Sequence, residues 1–106
     1  MQDEICYDVS IAEAAWEQLI EHARFLANVS GSAADRLVDE FIEKTNSLAK
    51  MPERCPWISH DMLPFQKYRK LFFGKYHMAL FEIREKNVYV TAVVDCRQDY
   101  IELLLN

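Results

Sequence analysis

The chain opens with an alternation. Ile5, Tyr7 and Val9 are set against Glu4, Cys6 and Asp8, the period of an extended strand whose successive side chains point to opposite faces. The rhythm then becomes helical. Ala12, Ala15, Trp16, Leu19, Ala23 and Leu26 recur three or four residues apart and form one helical face. Ser10, three residues before Glu13, reads as a capping box at the start of that helix. Asn28 to Gly31 ends it, because Asn and Gly tolerate the left-handed backbone of a helix C-terminus. Ser32 caps a second helix with the inner face Ala34, Leu37, Val38, Phe41, Thr45 and Leu48. Asp35, Asp39, Glu40 and Glu43 lie mostly opposite, and the short joint makes the pair an antiparallel hairpin.

Pro52, Pro56 and Pro64 punctuate a loop from about Met51 to Phe65, since proline fixes its backbone and lacks an amide donor. Three strands follow, near Gln66–Phe73, Tyr76–Arg84 and Asn87–Cys96, with Gly74-Lys75 and Glu85-Lys86 as tight connections. The run Val88 to Val94, rich in β-branched residues, is the strongest strand signal. Simple alternation places Val88, Val90, Ala92, Val94 and Cys96 on one face, and Tyr89, Thr91, Val93, Asp95 and Arg97 on the other. The preceding strand is apolar on both sides, so pattern alone does not choose its inward face. The tail Asp99–Leu105 reads as one or two helical turns. The order β-α-α-β-β-β predicts an α+β fold, a single domain over residues 1–106 with the hairpin on one face of a small, mainly antiparallel sheet. The other face is apolar enough to need a cover, either a partner chain or the protein's own tail.

Composition narrows the class. A chain of 106 residues with two glycines and about half its residues apolar can build one compact core. No apolar run approaches the ~18 residues of a membrane span. The acidic start Met1-Gln2-Asp3-Glu4 is unlike a signal peptide, so the expected location is cytoplasmic. Cys6, Cys55 and Cys96 are odd in number and widely spaced, which argues against a disulfide scaffold or a zinc site; no metal or cofactor is expected. Cys6 and Cys96 fall in predicted strands as small apolar fillers. The net charge of −5 is uneven: residues 1–60 carry five Lys/Arg against eleven Asp/Glu, and residues 61–106 carry seven against six. Gln66 to Lys75 holds four cations and no acid. The overall acidity weakens long-range attraction to nucleic acid and argues against RNA binding.

With the element order in hand, three stretches resemble toxins of the RelE/ParE superfamily. They are Leu48 through Pro52 entering the proline loop, Tyr68-Arg69-Lys70-Leu71 with Gly74 through Ile83, and Val88 through Arg97. The resemblance covers nearly the whole chain and rests on a pattern, so it speaks to fold more than activity. It implies the toxin of a bacterial type II toxin–antitoxin pair, with roles in growth inhibition and plasmid stabilization, neutralised by a small antitoxin that covers the open sheet face. One branch of the family cleaves mRNA in the ribosome; the other inhibits DNA gyrase without being an enzyme.

Metal-free RNA cleavage needs a base for the 2′-hydroxyl, an acid for the leaving oxygen and cations for the phosphorane. The resemblance assigns those roles to Arg69 or Lys70, His77 and Arg97, expected together on the open sheet face. Histidine titrates near neutrality and arginine offers a fixed phosphate-binding fork. The bland readings are an edge-guarding Arg69-Lys70 pair, a half-buried structural His77, and an Arg97 paired with Asp95 or Asp99. A tyrosine found beyond the terminal arginine in some nuclease members has no gapless match here, where Leu103 stands; Tyr100 fits only if the tail shifts. His22 and His60 are expected on the surface. The favoured reading is a ParE-like binder of an essential target such as gyrase, ahead of a RelE-like ribosome-dependent nuclease and a non-toxic antitoxin binder. The antitoxin is expected to contact Arg69, His77, Tyr89 and Arg97.

Overall fold

The computed structural model describes residues 6–105. Glu4 and Ile5, part of the expected first strand, lie outside them. The order is β1 (Asp8–Ile11), α1 (Glu13–Ala27), α2 (Gly31–Asn46), β2 (Arg69–Phe73), β3 (His77–Arg84) and β4 (Asn87–Asp95), with short 3₁₀ turns at Ser47–Ala49, Pro52–Arg54 and Ile101–Leu104. In space the strands run β1-β4-β3-β2. β1 is parallel to β4, and the other two pairings are antiparallel. The expected α+β architecture holds.

Four local expectations are corrected. Ser10 is not a cap: it continues β1 opposite Tyr89, and Ala12 begins α1 without a side-chain cap. Strand pairing satisfies more backbone groups than one hydroxyl can, so the sheet claims the serine. The second helix starts two residues earlier than expected. Ser30 is extended at φ −158° and its hydroxyl accepts the Ala33 amide at 3.2 Å. The joint uses no left-handed residue, for Asn28 is right-handed helical at φ −65°. Finally, Cys6 and Cys96 are exposed and outside the strands; only Cys55 is buried.

The hairpin buries Ala15, Leu19, Leu37 and Phe41 against one sheet face, where Phe73, Phe81, Val88 and Val90 meet them. Phe41 anchors this core through edge-on contacts with Trp16 and Phe73, at 5.2 and 5.3 Å between ring centroids. The opposite face has its own cover. Met78, Leu80, Ala92 and Val94 are buried beneath Ile58 and Leu63 of the proline loop and Leu104 of the tail. Among the two covers foreseen for this face, the protein's own chain supplies one.

Simple alternation along β4 fails at Thr91. Leu80 pairs with Ala92 but Phe81 pairs with Val90, leaving Thr91 as the extra residue of a β-bulge. Its hydroxyl donates to the Leu80 carbonyl at 3.2 Å. Beyond the bulge the facing inverts, so Val93 joins Val88 and Val90 in the helix-side core while Ala92 and Val94 face the tail. β1 reaches only to Val90 along this edge. The Val93 amide beyond it donates instead to the Gln18 side chain at 2.7 Å, which ties α1 to the sheet.

Candidate functional site

His77 and Asp95 are cross-strand partners where β3 begins and β4 ends. The sheet presents His77 to the hairpin, not to the opposite face. Its ring lies 5.6 Å from Phe73 and meets His22 of α1 edge-on at 5.0 Å. His22 therefore belongs to the interior edge of the hairpin and not to the open surface. It stands three residues after Leu19 and four before Leu26, a spacing that marks it in the sequence as part of the inner stripe. The Nδ1 of His77 is buried without a hydrogen-bond partner. Burial chiefly, then His22 and Arg97, push its pKa down, against an opposing pull from Asp95.

Two residues beyond Asp95, Arg97 folds back on it. The Arg97 Nε donates to one carboxylate oxygen at 2.9 Å, a terminal nitrogen donates to the other at 2.6 Å, and the Arg97 amide adds a third bond at 2.9 Å. The guanidinium lies over the Tyr76 ring at 3.9 Å. These bonds, chiefly those from the guanidinium, hold the Asp95 carboxyl well below the usual carboxylate range. His77, Asp95 and Arg97 thus share one corner of a groove of about 650 Å³.

Of the expected site residues, only His77 and Arg97 come together. Arg69 is a loop clamp: it donates to the carbonyls of Glu53 and Cys55 at 2.9 and 2.7 Å and stacks on Trp57 at 3.6 Å. Glu53 in turn accepts the Tyr7 hydroxyl, tying the loop to the chain leading into β1. Lys70 pairs across from Leu80 on the tail-covered side, its amine 5.9 Å from the Phe72 ring. Tyr89 sits opposite Glu82, under Arg84. It lies six positions before Asp95 along β4, about 20 Å at the ~3.3 Å rise of a strand. The expectation that these residues share one open face is corrected: the bulge and the two-sided cover divide them.

The groove also contains side chains that sequence reasoning passed over. Arg36 and Glu40 come from α2, and Lys75 and Tyr76 from the β2–β3 turn. Gly74 shapes the turn at φ +60°; a Cβ there would lie 3.0 Å from the Leu37 side chain and 3.4 Å from His77 Nδ1. The Gly74 amide donates to Glu40 at 3.0 Å, which seats the turn on the helix. Among the described residues no cluster of three His, Cys, Asp or Glu is arranged to hold a metal ion. Nor is any described helix long and apolar enough to cross a membrane.

A family model described as the ParE toxin of the type II toxin–antitoxin system parDE matches residues 9–100. No curated protein matches the chain significantly. Among solved structures, the chromosomal ParDE TA system from P. aeruginosa contains a chain that superposes with a TM-score of 0.70 at 14% identity. The match covers 85% of this chain and 96% of that one, a likeness of fold.

Proposed function

The chain belongs to the ParE toxin family of type II toxin–antitoxin systems, and from that premise we propose that it inhibits growth by binding an essential cytoplasmic target, DNA gyrase foremost, rather than by catalysis. A cognate antitoxin neutralises it. The observation that carries this reading is the separation of the would-be catalytic set. Arg69 is engaged by loop carbonyls, Lys70 lies on the other side of the sheet, and the Arg97 fork is closed on Asp95. A phosphorane at this corner would meet the Asp95 carboxylate beside the arginine, and like charge repels it. Burial lowers the pKa of His77 and so disfavours the protonated form that a general acid needs.

The meeting of His77 and Arg97 is what favours the second reading, a ribosome-dependent mRNA endoribonuclease. Labelled leucine and thymidine, followed in one bacterial culture after induction of the chain, separate the two. Thymidine incorporation falls first if replication is the target, and purified chain then inhibits gyrase supercoiling. A leucine signal that falls first, with toxicity abolished in a stable His77→Ala/Arg97→Ala variant, overturns the binder reading.

A further inference from the structure

Two polar side chains hold α1 to the sheet beside the groove. Gln18 accepts the Val93 amide at 2.7 Å, and His22, one turn further along the same helix face, meets His77 edge-on at 5.0 Å. The second contact joins two imidazoles, the side-chain type whose charge changes near neutrality. The groups facing them lean positive. α2 contributes Arg36 and Glu40, the β2–β3 turn Lys75 and Tyr76, and the end of β4 Asp95 with Arg97 just beyond it; of the titratable groove residues α1 supplies His22 alone. Both acids are taken, Asp95 by Arg97 and Glu40 by the Gly74 amide, whereas Arg36 and Lys75 make no hydrogen bond or ion pair with any described residue. The closed corner has no place for a second proton on His77 either. A charged imidazole donates from both ring nitrogens, and the buried Nδ1 of His77, next to Gly74, has no acceptor.

We propose that His22 and His77 form an acid-operated latch: with at most one charge between them they close α1 over the end of the sheet, and with both protonated they part, releasing the second half of α1 and opening the groove. What moves is set by burial. α1 buries Ala15 and Leu19 in its first half, where Trp16 also packs on Phe41, and buries no residue fully after Leu19. Phe25 in the second half is 75% exposed. That half is therefore held by few apolar contacts and can open while the centre of the core stays closed. Burial, then the charges of His22 and Arg97, lowers the pKa of His77 against the pull of Asp95, so the closed corner resists the second charge. Asp95 gives limited relief, because three bonds from Arg97 already engage its carboxylate.

Amide exchange and imidazole titration, both read by NMR on the full chain, test the latch. Exchange protection, corrected for the intrinsic effect of pH, is compared at pH 7.5 and 5.5. In the wild-type chain the Val93 amide and the last two turns of α1 should lose about tenfold in protection, while the central amides of β3 keep theirs. His22→Gln and His77→Gln each leave a single imidazole at the corner and should remove most of that loss. The two wild-type imidazole signals should titrate with Hill slopes below one, because each charge opposes the other. A loss of the same size in His22→Gln overturns the latch, since no pair is left to repel. A loss spread equally over β3 means that acid unfolds the whole chain, and overturns it too. Where a variant fails to fold, the wild-type titration decides: slopes of one for both rings make the imidazoles independent and the latch wrong, and slopes below one uphold it.

Discussion

The two faces of one sheet are finished in different ways. On the hairpin side, Phe41, Phe73 and Phe81 close the centre of the core, but the corner at His77 is left as a groove with two unengaged cations. On the tail side the strand centre is closed by the chain itself, while Phe72 at its edge stays 54% exposed. Ile58, Leu63 and Leu104 cover the apolar strand residues, and the buried Glu82 is held bidentately by Arg84 at 3.1 and 3.0 Å. Apolar excess in a strand is therefore a poor guide to where a partner binds. What distinguishes the hairpin side is the groove at its corner, where the buried Nδ1 of His77 has no hydrogen-bond partner.

The comparison breaks most sharply by truncating each seal. Phe41→Ala removes a fully buried ring that bridges both helices and β2, and costs about 3–5 kcal/mol. Leu104→Ala removes one side of a peripheral cluster and costs about 2 kcal/mol, the low end for a buried leucine, because the short turn can settle. Urea titrations of the two variants check the ranking. A Leu104→Ala loss equal to that of Phe41→Ala would mean that the tail is as central to the fold as the hairpin.

The sequence shows one of these seals better than the other. The hairpin is legible because helical periodicity survives over fifteen or sixteen residues in each helix: of the expected inner face of α2, Ala34, Leu37, Phe41, Thr45 and Leu48 are buried and Val38 is half-buried. The final 3₁₀ turn is legible too, and the tail is one of the two covers that the apolar second face calls for. The facing of β4 was misread because a bulge has no marker in a run of β-branched residues: Thr91 looks like any other strand residue. That single insertion moves Val93 to the hairpin side and, with the two-sided cover, spoils an open-face site built on alternation. The groove was illegible for another reason. Its residues come from α1, α2, the β2–β3 turn and the end of β4, segments that only the tertiary fold brings together.

A smaller effect sharpens the view that the groove is built by the turn as much as by the hairpin. Gly74→Ala places a Cβ at φ +60° and 3.0 Å from the Leu37 side chain, and we expect a loss of about 1–2 kcal/mol. Because Leu37 must give way on the groove side, the thermal unfolding midpoint should fall. A midpoint equal to that of the wild-type chain would mean that the turn takes a Cβ without moving Leu37.

The smallest effect concerns pH, and here too the faces differ. His77 is packed against His22 of α1, Phe73 of β2 and the Asp95–Arg97 pair, and burial leads the influences that lower its pKa. Its folded pKa lies below the unfolded value near 6.5, so the unfolded chain takes up the proton first as pH falls. The stability His77 contributes is complete above pH 6.5 and is lost as the pH drops toward the folded pKa. Asp95 follows the same direction in a lower window, its contribution being present above the ordinary carboxyl value of 3.8 and lost below it. Acidification from pH 7.5 to 5 therefore isolates the histidine. Over that range the urea midpoint of the wild-type chain should fall more than that of His77→Gln, which keeps a similar volume and does not titrate. Parallel profiles would mean that the groove-side imidazole is as readily protonated in the folded protein as in the unfolded chain, and that the hairpin does not shield this corner from solvent.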